Sequence, residues 1–355
     1  MQSRVTIKDL AEKAGTSVAS VHRALYGAEG VSDQLRKKIL EEARRCNYRI
    51  DETASLLRRN AINITVLLPK ATGNERFYYT GLWHGIQKGA EKLRKLKANV
   101  NLIETDYGIN EMAEALENLY DETDISGTPI DGLVTICDDE KSRNWIERFI
   151  RKGTRVALVD RGLPIGGLSC SVETSVIDMG KLALELALLY GQMEDGPIIL
   201  VNGHMKRNSY QAYARAVRNK QAVLQRQSRE IVEIWTDSEE QVRRELKEKL
   251  SENRPSAVIA ASARTTFWVC QEIRDYYAAD ESCPAVIGTD VFAEQAPFFE
   301  SGVLRAVIYQ SHITSGEKCL DELINSLMSF EKKEETHILL PLSVVLKDNY
   351  KCFLP

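Results

Sequence analysis

The chain of 355 residues lacks long hydrophobic runs, and its seven cysteines are scattered. No apolar stretch reaches the roughly 18 residues that a helix needs to cross a bilayer. No apolar stretch follows the charges of the opening MQSRVTIKDL, as it would in a secretory signal. The cysteines never occur as C-x-x-C, a spacing common in zinc sites, and their odd number suits reduced thiols. We therefore expect a cytoplasmic protein with no membrane segment, no disulfide framework and no bound metal.

The sequence also lacks the common signatures of catalysis. It contains no G-x-S-x-G, no phosphate-binding P-loop, no H-E-x-x-H and no EF-hand loop. Its five histidines lie far apart in the sequence. The acidic run CDDE at 137–140 is more typical of a solvated loop or a cleft rim than of a hydrolase centre. We expect no enzyme, no catalytic residues and no cofactor.

Charge is distributed unevenly along the chain. Residues 1–60 contain 12 Lys and Arg against 8 Asp and Glu, whereas the remainder contains 35 against 43. A basic segment on an acidic body favours contact of that segment alone with a polyanion. The length predicts more than one domain.

Three short amphipathic helices are predicted in the first 50 residues. The first begins after Thr6, which is expected to form a capping box with Asp9, and ends at Gly15. Ser17 is expected to cap the second helix and Ser32 the third. Two helices separated by about three residues around a glycine are typical of a helix-turn-helix. Three such helices also occur as a plain packing module.

The sequence of this first segment resembles a known family. The run V-T-I-K-D-L-A-E-K-A-G-T-S-V-A-S-V-H-R-A-L, continued by V-S-D-Q-L-R-K-K-I-L-E-E-A-R-R-C-N-Y and A-S-L-L-R, is similar to the DNA-binding domain of the lac-repressor/galactose-repressor family. The resemblance implies a helix-turn-helix domain at 1–50 and, at 51–61, a hinge helix that forms on DNA. The residues that it implies for DNA contact are Thr6, Ser17, Val18, Ala19, His22, Arg23, Tyr26, Ala54 and Leu57.

These residues are expected to differ in what they recognise. Arg23 is the expected base reader, since a guanidinium bonds both O6 and N7 of guanine, a contact worth about 1–3 kcal/mol of discrimination. Val18 and Ala19 offer only apolar contact, for example with thymine methyl groups. Leu57 is expected to wedge into the minor groove and kink the duplex. Tyr26 stands where an Asn is common, which leaves that phosphate contact open.

The rest of the chain alternates β-branched runs with amphipathic segments. Nine strands are predicted, at 62–68, 99–104, 131–136, 155–160, 197–203, 230–235, 256–261, 284–290 and 304–309. Strands that are buried on both faces and separated by helices predict an α/β fold with doubly wound parallel sheets. Ligands of such folds bind at the carboxyl ends of the strands.

This body resembles the sugar-binding domain that the family shares with periplasmic binding proteins. DGLVTI, RVALVDRG, SVETSVIDMGKLALELAL, GTDVFAEQA and LRAVIYQSHITSGEKCLDELI occur in the family's order. The resemblance implies a periplasmic-binding-protein-like effector domain at 62–355 with two lobes. One lobe is expected at about 62–161 and 291–325, and the other at about 162–290 and 326–355. The implied effector contacts are Phe77, Tyr78, Asp160, Arg161, Ser209, Ser262, Asp290 and Gln310.

Two of these positions depart from the family pattern. Ser209 stands where many relatives carry a ligand-binding Arg, and Ser262 with Ala263 replaces the usual Asn-Asp. Arg264 beside them adds a positive charge. The alternatives for the effector are an unusual sugar, a polyol or cyclitol, and a phosphorylated or acidic sugar.

Both segments together predict a ligand-responsive transcription regulator, and we expect a repressor. It is expected to bind a roughly palindromic operator on double-stranded DNA as a homodimer and to sense a sugar-like effector between its lobes. The alternative is a solute-binding protein of the transport type, which the basic first segment and the missing signal peptide oppose. An enzyme on a two-lobed α/β fold is a third reading, and the missing motifs oppose it.

Overall fold

The computed structural model describes ten stretches of the chain. These are residues 6–25, 30–46, 62–94, 98–108, 110–161, 163–192, 195–224, 229–277, 282–329 and 335–354. Tyr26 and the hinge segment at 51–61, with Ala54 and Leu57, lie outside them. The side chains of His22 and Arg161 also lie outside the described part.

Three helices form the amino-terminal domain. They are α1 (Ile7–Ala14), α2 (Val18–Leu25) and α3 (Asp33–Arg45). Leu10, Val21 and Ile39, one from each helix, are fully buried and meet in one small core. The three helices therefore hold each other through apolar side chains at helical spacing.

The ends of these helices follow the predicted capping residues. Thr6 and Asp9 form the predicted capping box, in which the Thr6 N–H donates to Asp9 Oδ2 at 2.7 Å and the Asp9 N–H donates to Thr6 Oγ1 at 3.3 Å. Gly15 ends α1 in the left-handed region at φ 66°. Ser17 accepts from the N–H of Ser20 at 3.0 Å, and thus caps α2.

Twelve strands form two six-stranded sheets in the described part of the body. They are β1 (Ile62–Pro69), β2 (Ala98–Thr105), β3 (Gly132–Cys137), β4 (Arg155–Arg161), β5 (Cys170–Thr174), β6 (Ile198–Asn202), β7 (Ile231–Trp235), β8 (Ala257–Ala260), β9 (Ala285–Thr289), β10 (Leu304–Tyr309), β11 (Thr336–Leu340) and β12 (Ser343–Val345). The first sheet has the order β11-β5-β4-β3-β1-β2 and the second β12-β10-β9-β8-β6-β7. Neighbouring strands are parallel except β10 and β12. Each of the nine predicted strands is present, with its ends within one residue of the prediction.

Helices cover both sheets. They are α4 (Arg76–Arg94), α5 (Glu111–Ser126), α6 (Glu140–Arg151), α7 (Val176–Tyr190), α8 (Asn208–Val223), α9 (Glu239–Glu252), α10 (Ala263–Tyr276), α11 (Ala296–Ser301) and α12 (His312–Met328). In the stretches that the structure describes, no helix is long and apolar enough to cross a membrane. The architecture is the predicted doubly wound α/β fold with two lobes.

The strand pairing corrects the predicted bounds of the lobes. β5 pairs with β4 and β11 pairs with β5, so both belong to the first sheet, whereas β10 pairs with β9 in the second. The chain therefore crosses between lobes near 175, 310 and 341 rather than near 161, 290 and 325. The first lobe comprises 62–174 and 311–340, and the second comprises 175–310 and 341–354.

Candidate functional site

A cavity of about 480 Å³ lies between the carboxyl ends of the two sheets. This volume falls in the range of about 300–1,000 Å³ that is usual for small-molecule sites. Both lobes contribute to its walls. The structure brings six of the eight predicted effector residues to it, namely Tyr78, Asp160, Ser209, Ser262, Asp290 and Gln310.

Two acidic residues at the cavity have an unusual backbone conformation. Asp160 near the end of β4 and Asp290 just after β9 have φ values of 53° and 64°. Ser311, which follows Gln310 and precedes α12, has φ 59°. Within the described ranges these are the non-glycine residues with positive φ. Such conformations cost about 1–3 kcal/mol each and cluster at binding sites, and all three lie where the chain passes the cleft.

Asp290 is the centre of a cluster of polar contacts near the point where the chain passes from one lobe to the other. The Gln310 amide Nε2 donates to both of its carboxylate oxygens, at 3.2 and 3.0 Å. His312 Nε2 lies 2.8 Å from Asp290 Oδ1. The Thr174 hydroxyl donates to Gln310 Oε1 at 3.2 Å. These contacts fix the orientation of a carboxylate that is almost wholly buried.

Proton binding at this group is set by burial and by neighbouring charges. Burial raises the pKa of Asp160 to about 7, which the nearby His312 opposes and the charges of Asp290 and Glu173 reinforce. Burial lowers the pKa of His312, but the charge of Asp290 and its bond to the ring outweigh this, so the net shift is upward. Near neutral pH the Asp160 carboxyl group can therefore donate or accept a hydrogen bond, as a ligand hydroxyl requires.

The two predicted serines in the cavity wall, Ser209 and Ser262, have their hydroxyl groups engaged within the protein. The Ser209 hydroxyl donates to Asp138 Oδ2 at 2.9 Å, and its N–H donates to Oδ1 at 3.2 Å. Ser262 caps α10, where its Oγ accepts from the Thr265 N–H at 3.3 Å and lies 2.9 Å from Thr265 Oγ1. Since Asp138 follows β3 of the first lobe, Ser209 joins the two lobes.

Two buried arginines, one of them absent from the sequence predictions, complete the cavity wall. Arg264 Nη1 donates to Glu75 Oε1 at 2.8 Å across the cleft, and Nη2 bonds Asp237 within the second lobe. Arg207 lies with its guanidinium carbon 4.0 Å from the ring centre of Tyr107 and with Nη1 3.7 Å from Asp138 Oδ2. Both guanidinium groups are thus paired with carboxylates. The sequence indicated a positive charge near the cavity at Arg264, but it did not indicate a position there for Arg207.

No metal cluster is formed by the residues that the structure describes: no three His, Cys, Asp or Glu side chains converge as metal ligands would. The chemistry that the cavity offers is reversible hydrogen bonding through carboxyl and amide groups and contact with aromatic rings.

Comparison with known sequences separates the chain into two matched parts. The model of "Bacterial regulatory proteins, lacI family" matches residues 6–51, and that of "Periplasmic binding protein domain" matches residues 65–331. The chain belongs to the lacI family. It is a ligand-responsive, DNA-binding transcription regulator.

Individual relatives match over most of the chain. The ribose operon repressor of Haemophilus influenzae is 22% identical, over 97% of this chain and 98% of its own length. The Lac repressor bound to ONPG superposes with a TM-score of 0.62 at 20% identity, covering 97% of this chain and 98% of that one. A carbohydrate transporter solute binding protein from Agrobacterium radiobacter, in complex with D-arabinose, gives a TM-score of 0.71 at 15% identity, over 83% of this chain and 99% of that one. At these identities the structures show the shared fold.

Phe77 departs from the site that the family resemblance implies. It is expected to stack on the effector beside Tyr78, but its ring is buried against Phe292 of the second lobe at a centroid distance of 4.0 Å, and it does not line the cavity. Phe77 belongs instead to an apolar cluster with Ala263 and Phe292, and of the two predicted aromatic residues one faces the cavity. Tyr78 is that residue, with its ring 4.2 Å from that of His312. Phe77 is therefore an apolar contact between lobes.

The amino-terminal domain presents an open face of α2, the helix that the lacI family resemblance places in the major groove. Val18, Ala19 and Arg23 are exposed along it. Thr6 is exposed at the start of α1. On the other side, Arg36 Nη1 of α3 donates to the carbonyl oxygen of Ala24 at 3.2 Å and ties α3 to α2. Val18, Ala19 and Arg23 are therefore accessible for contact with a groove of DNA.

Proposed function

We propose that the protein is a cytoplasmic repressor that binds a roughly palindromic operator as a homodimer and is controlled by a neutral, sugar-like effector held between its lobes. The observation that carries this proposal is a ligand-sized cavity between two lobes in a chain that also carries a helix-turn-helix with an open second helix. The names of relatives, among them a ribose operon repressor, support the sugar and repressor parts. We expect the effector to leave the cavity chemically unchanged.

The charges around the cavity favour a neutral effector over a phosphorylated or acidic sugar. Glu75, Asp138, Asp160, Glu173 and Asp290 line it. The two described arginines of the wall are already paired with carboxylates. An added anion would therefore be desolvated next to carboxylates whose charges oppose it. Hydroxyl groups, in contrast, can donate to those oxygens.

Contacts between the lobes give the effector a means of control. The Glu75–Arg264 pair, the Asp138–Ser209 bonds and the Phe77–Phe292 stack all depend on how the lobes sit relative to one another. A ligand that binds one arrangement of the lobes more tightly shifts the protein towards that arrangement, and the affinity for DNA changes with it. The size of this change is limited by the difference between the ligand's affinities for the two arrangements. Such coupling is typically about 1–3 kcal/mol and is reciprocal.

The test combines operator selection with ligand screening. Selection from random duplexes should enrich a roughly palindromic site, and thermal-shift screening of sugars and polyols should identify a ligand. That ligand should change operator affinity by about 5- to 150-fold in fluorescence anisotropy. A ligand that binds without changing DNA affinity, or duplexes that show no enrichment, would instead favour a solute-binding protein.

Asp290→Asn probes the cavity in the same assays. The variant should lose the thermal shift caused by the ligand, because the carboxylate held by Gln310 and His312 is expected to meet it. Binding to operator DNA in the absence of ligand should persist. Asp348→Asn, an exposed position of the same lobe, is the matched control. An unchanged shift in Asp290→Asn would remove this residue from the ligand site.

A further inference from the structure

A histidine of one lobe meets an aspartate of the other in the interior of the protein. His312 begins α12 of the first lobe, and Asp290 follows β9 of the second. His312 Nε2 lies 2.8 Å from Asp290 Oδ1, and the two side chains are only 4% and 1% exposed. Because the chain crosses between the lobes at Ser311, this contact depends on how the lobes are arranged. We call the arrangement in this structure closed.

A second carboxyl group lies close to this pair. Asp160 near the end of β4 belongs to the first lobe and lines the cavity. The charges of both His312 and Asp290 act on it. Two carboxyl groups and one histidine therefore share a largely buried space. Because buried charge is costly, the closed arrangement favours bound protons that reduce the net negative charge of this cluster.

Among the described side chains, the groups around this cluster supply no additional cation. They are Tyr78 of α4, Glu173 of β5, Tyr309 of β10 and Cys319 of α12. Glu173 adds a negative charge, which favours protonation of Asp160. Burial raises the pKa of the Tyr309 phenol, and a bond with Cys170 raises the pKa of the Cys319 thiol, so both groups stay neutral.

Asp160 and His312 both hold a proton more firmly in the closed arrangement than in water. Burial raises the pKa of Asp160 from 3.8 to about 7. Burial alone would lower the pKa of His312, but the charge of Asp290 and its bond to the ring outweigh this and raise it. When the lobes separate, water reaches both groups and returns their pKa values towards the ordinary ones. A pKa that is higher in the closed arrangement favours closure at low pH, and this contribution is lost as the pH rises through the higher value.

We propose that the protein senses pH as well as its effector, through a proton that the cluster of Asp160, Asp290 and His312 takes up when the lobes close. This inference goes beyond the proposed function, because its ligand is the proton and its site is built by both lobes. For Asp160 alone, the rise in pKa from 3.8 to about 7 increases the ratio of closed to open protein about tenfold between pH 8 and pH 6. His312 changes the ratio in the same direction.

The experiment follows the arrangement of the lobes in the full-length protein without added ligand. Ketone-bearing amino acids replace Glu117 of the first lobe and Arg215 of the second, both of which are exposed. Nitroxide labels on these ketones leave the native cysteines unmodified, and dilution with unlabelled protein removes distances between two labelled chains. Pulsed electron spin resonance then measures the distances between the labels at pH 8, 7 and 6. Lowering the pH from 8 to 6 should raise the ratio of closed to open populations about tenfold.

Variants locate the proton. Asp160→Asn should reduce the change to below about threefold, because an amide takes up no proton. His312→Gln should move the midpoint of the change to higher pH, because His312 opposes the rise in the pKa of Asp160. His337→Gln is the matched control and should keep the full change, since His337 lines the same cavity but is 49% exposed and contacts Glu173 within the first lobe. Circular dichroism checks that each variant is folded, and either cluster variant alone is sufficient for the test.

The outcomes do not depend on sugar or DNA binding. Distances that stay the same between pH 8 and pH 6 overturn the inference and leave control by a sugar-like effector intact. A full change in Asp160→Asn, or an unmoved midpoint in His312→Gln, shows that the proton binds elsewhere and overturns the site. Loss of the change in His337→Gln overturns it as well. Failure of every sugar to bind, in a protein whose lobes close on acidification, overturns the sugar class alone.

Discussion

Replacement of Arg264 by leucine should weaken the contact between the lobes and lower the stability of the protein. The guanidinium is less than a tenth exposed and bonds Glu75 across the cleft and Asp237 within its own lobe. Without it, two carboxylates, each about a quarter exposed, keep their charges with no cation between them. Loss of one partner from a buried ion pair costs about 3–5 kcal/mol, and the partial exposure of both acids lowers our expectation to about 2 kcal/mol. For a chain of 355 residues, with an unfolding entropy of about 2.1 cal/mol/K per residue, that corresponds to a fall in Tm of about 3 °C.

The pH dependence of this loss tests its electrostatic cause. Burial raises the pKa of Glu75 above its ordinary value even though Arg264 and Arg207 oppose the shift. Removal of Arg264 should raise that pKa further. A pKa that is higher in the folded state than in the unfolded state means that ionisation destabilises the fold as pH rises. The penalty of Arg264→Leu should therefore be largest at pH 7.5 and smaller at pH 5, where Glu75 is more often protonated.

Thermal unfolding followed by circular dichroism at the two pH values measures both effects. Arg76→Gln is the control, because Arg76 forms an ion pair with Glu294 at 2.9 Å between the same lobes, with both side chains about two-fifths exposed. Such exposed pairs contribute only about 0–1 kcal/mol. The double variant Glu75→Gln, Arg264→Leu should recover part of the loss. Equal losses in the two arginine variants, or a loss in Arg264→Leu that does not change with pH, would refute the reasoning.

Three further predictions concern DNA and the buried acid. Arg23→Ala should reduce the preference for operator over unrelated DNA by about 5- to 150-fold and leave effector affinity unchanged, which competition binding on both duplexes checks. Leu57→Ala should weaken operator binding more than nonspecific binding, because a minor-groove wedge acts on a particular base step; equal losses on both DNAs would count against it. Asp160→Asn should raise the Tm of the ligand-free protein at pH 8. The pKa of about 7 exceeds the ordinary value of 3.8, so ionisation of Asp160 destabilises the fold, and the gain should shrink towards pH 4.

The strands of the core could be predicted because their side chains are buried on both faces. Runs such as Val66–Leu68 and Val156–Val159 are apolar without interruption, which is typical of parallel strands. β5, β11 and β12 were not predicted, since β5 alternates apolar and polar residues and β11 and β12 are partly exposed edge strands. The bounds of the lobes depend on which strand pairs with which. The pairing of Ala157 with Cys170 has no counterpart in the local sequence pattern.

The residues of the cavity also divide into those that could be predicted from the sequence and those whose position depends on contacts between the lobes. Asp160, Asp290 and Gln310 could be placed there because the carboxyl ends of parallel strands meet at one edge of each sheet. The position of Arg207 depends on Tyr107 and Asp138 of the other lobe, so it could not be predicted from the local sequence. Ser209 also reaches the cavity wall, but its bond to Asp138, 71 residues away, follows only from the approach of the two lobes.

The left-handed backbone at Ser311 offers a way to retune the protein as a biosensor. Its side chain neither lines the cavity nor belongs to the DNA-binding domain, and it stands where the chain returns from the second lobe to the first. Glycine adopts this conformation without steric cost, so Ser311→Gly should stabilise the described arrangement of the lobes without changing a side chain that lines the cavity. The threshold concentration of the response would then move while its chemical selectivity stayed the same.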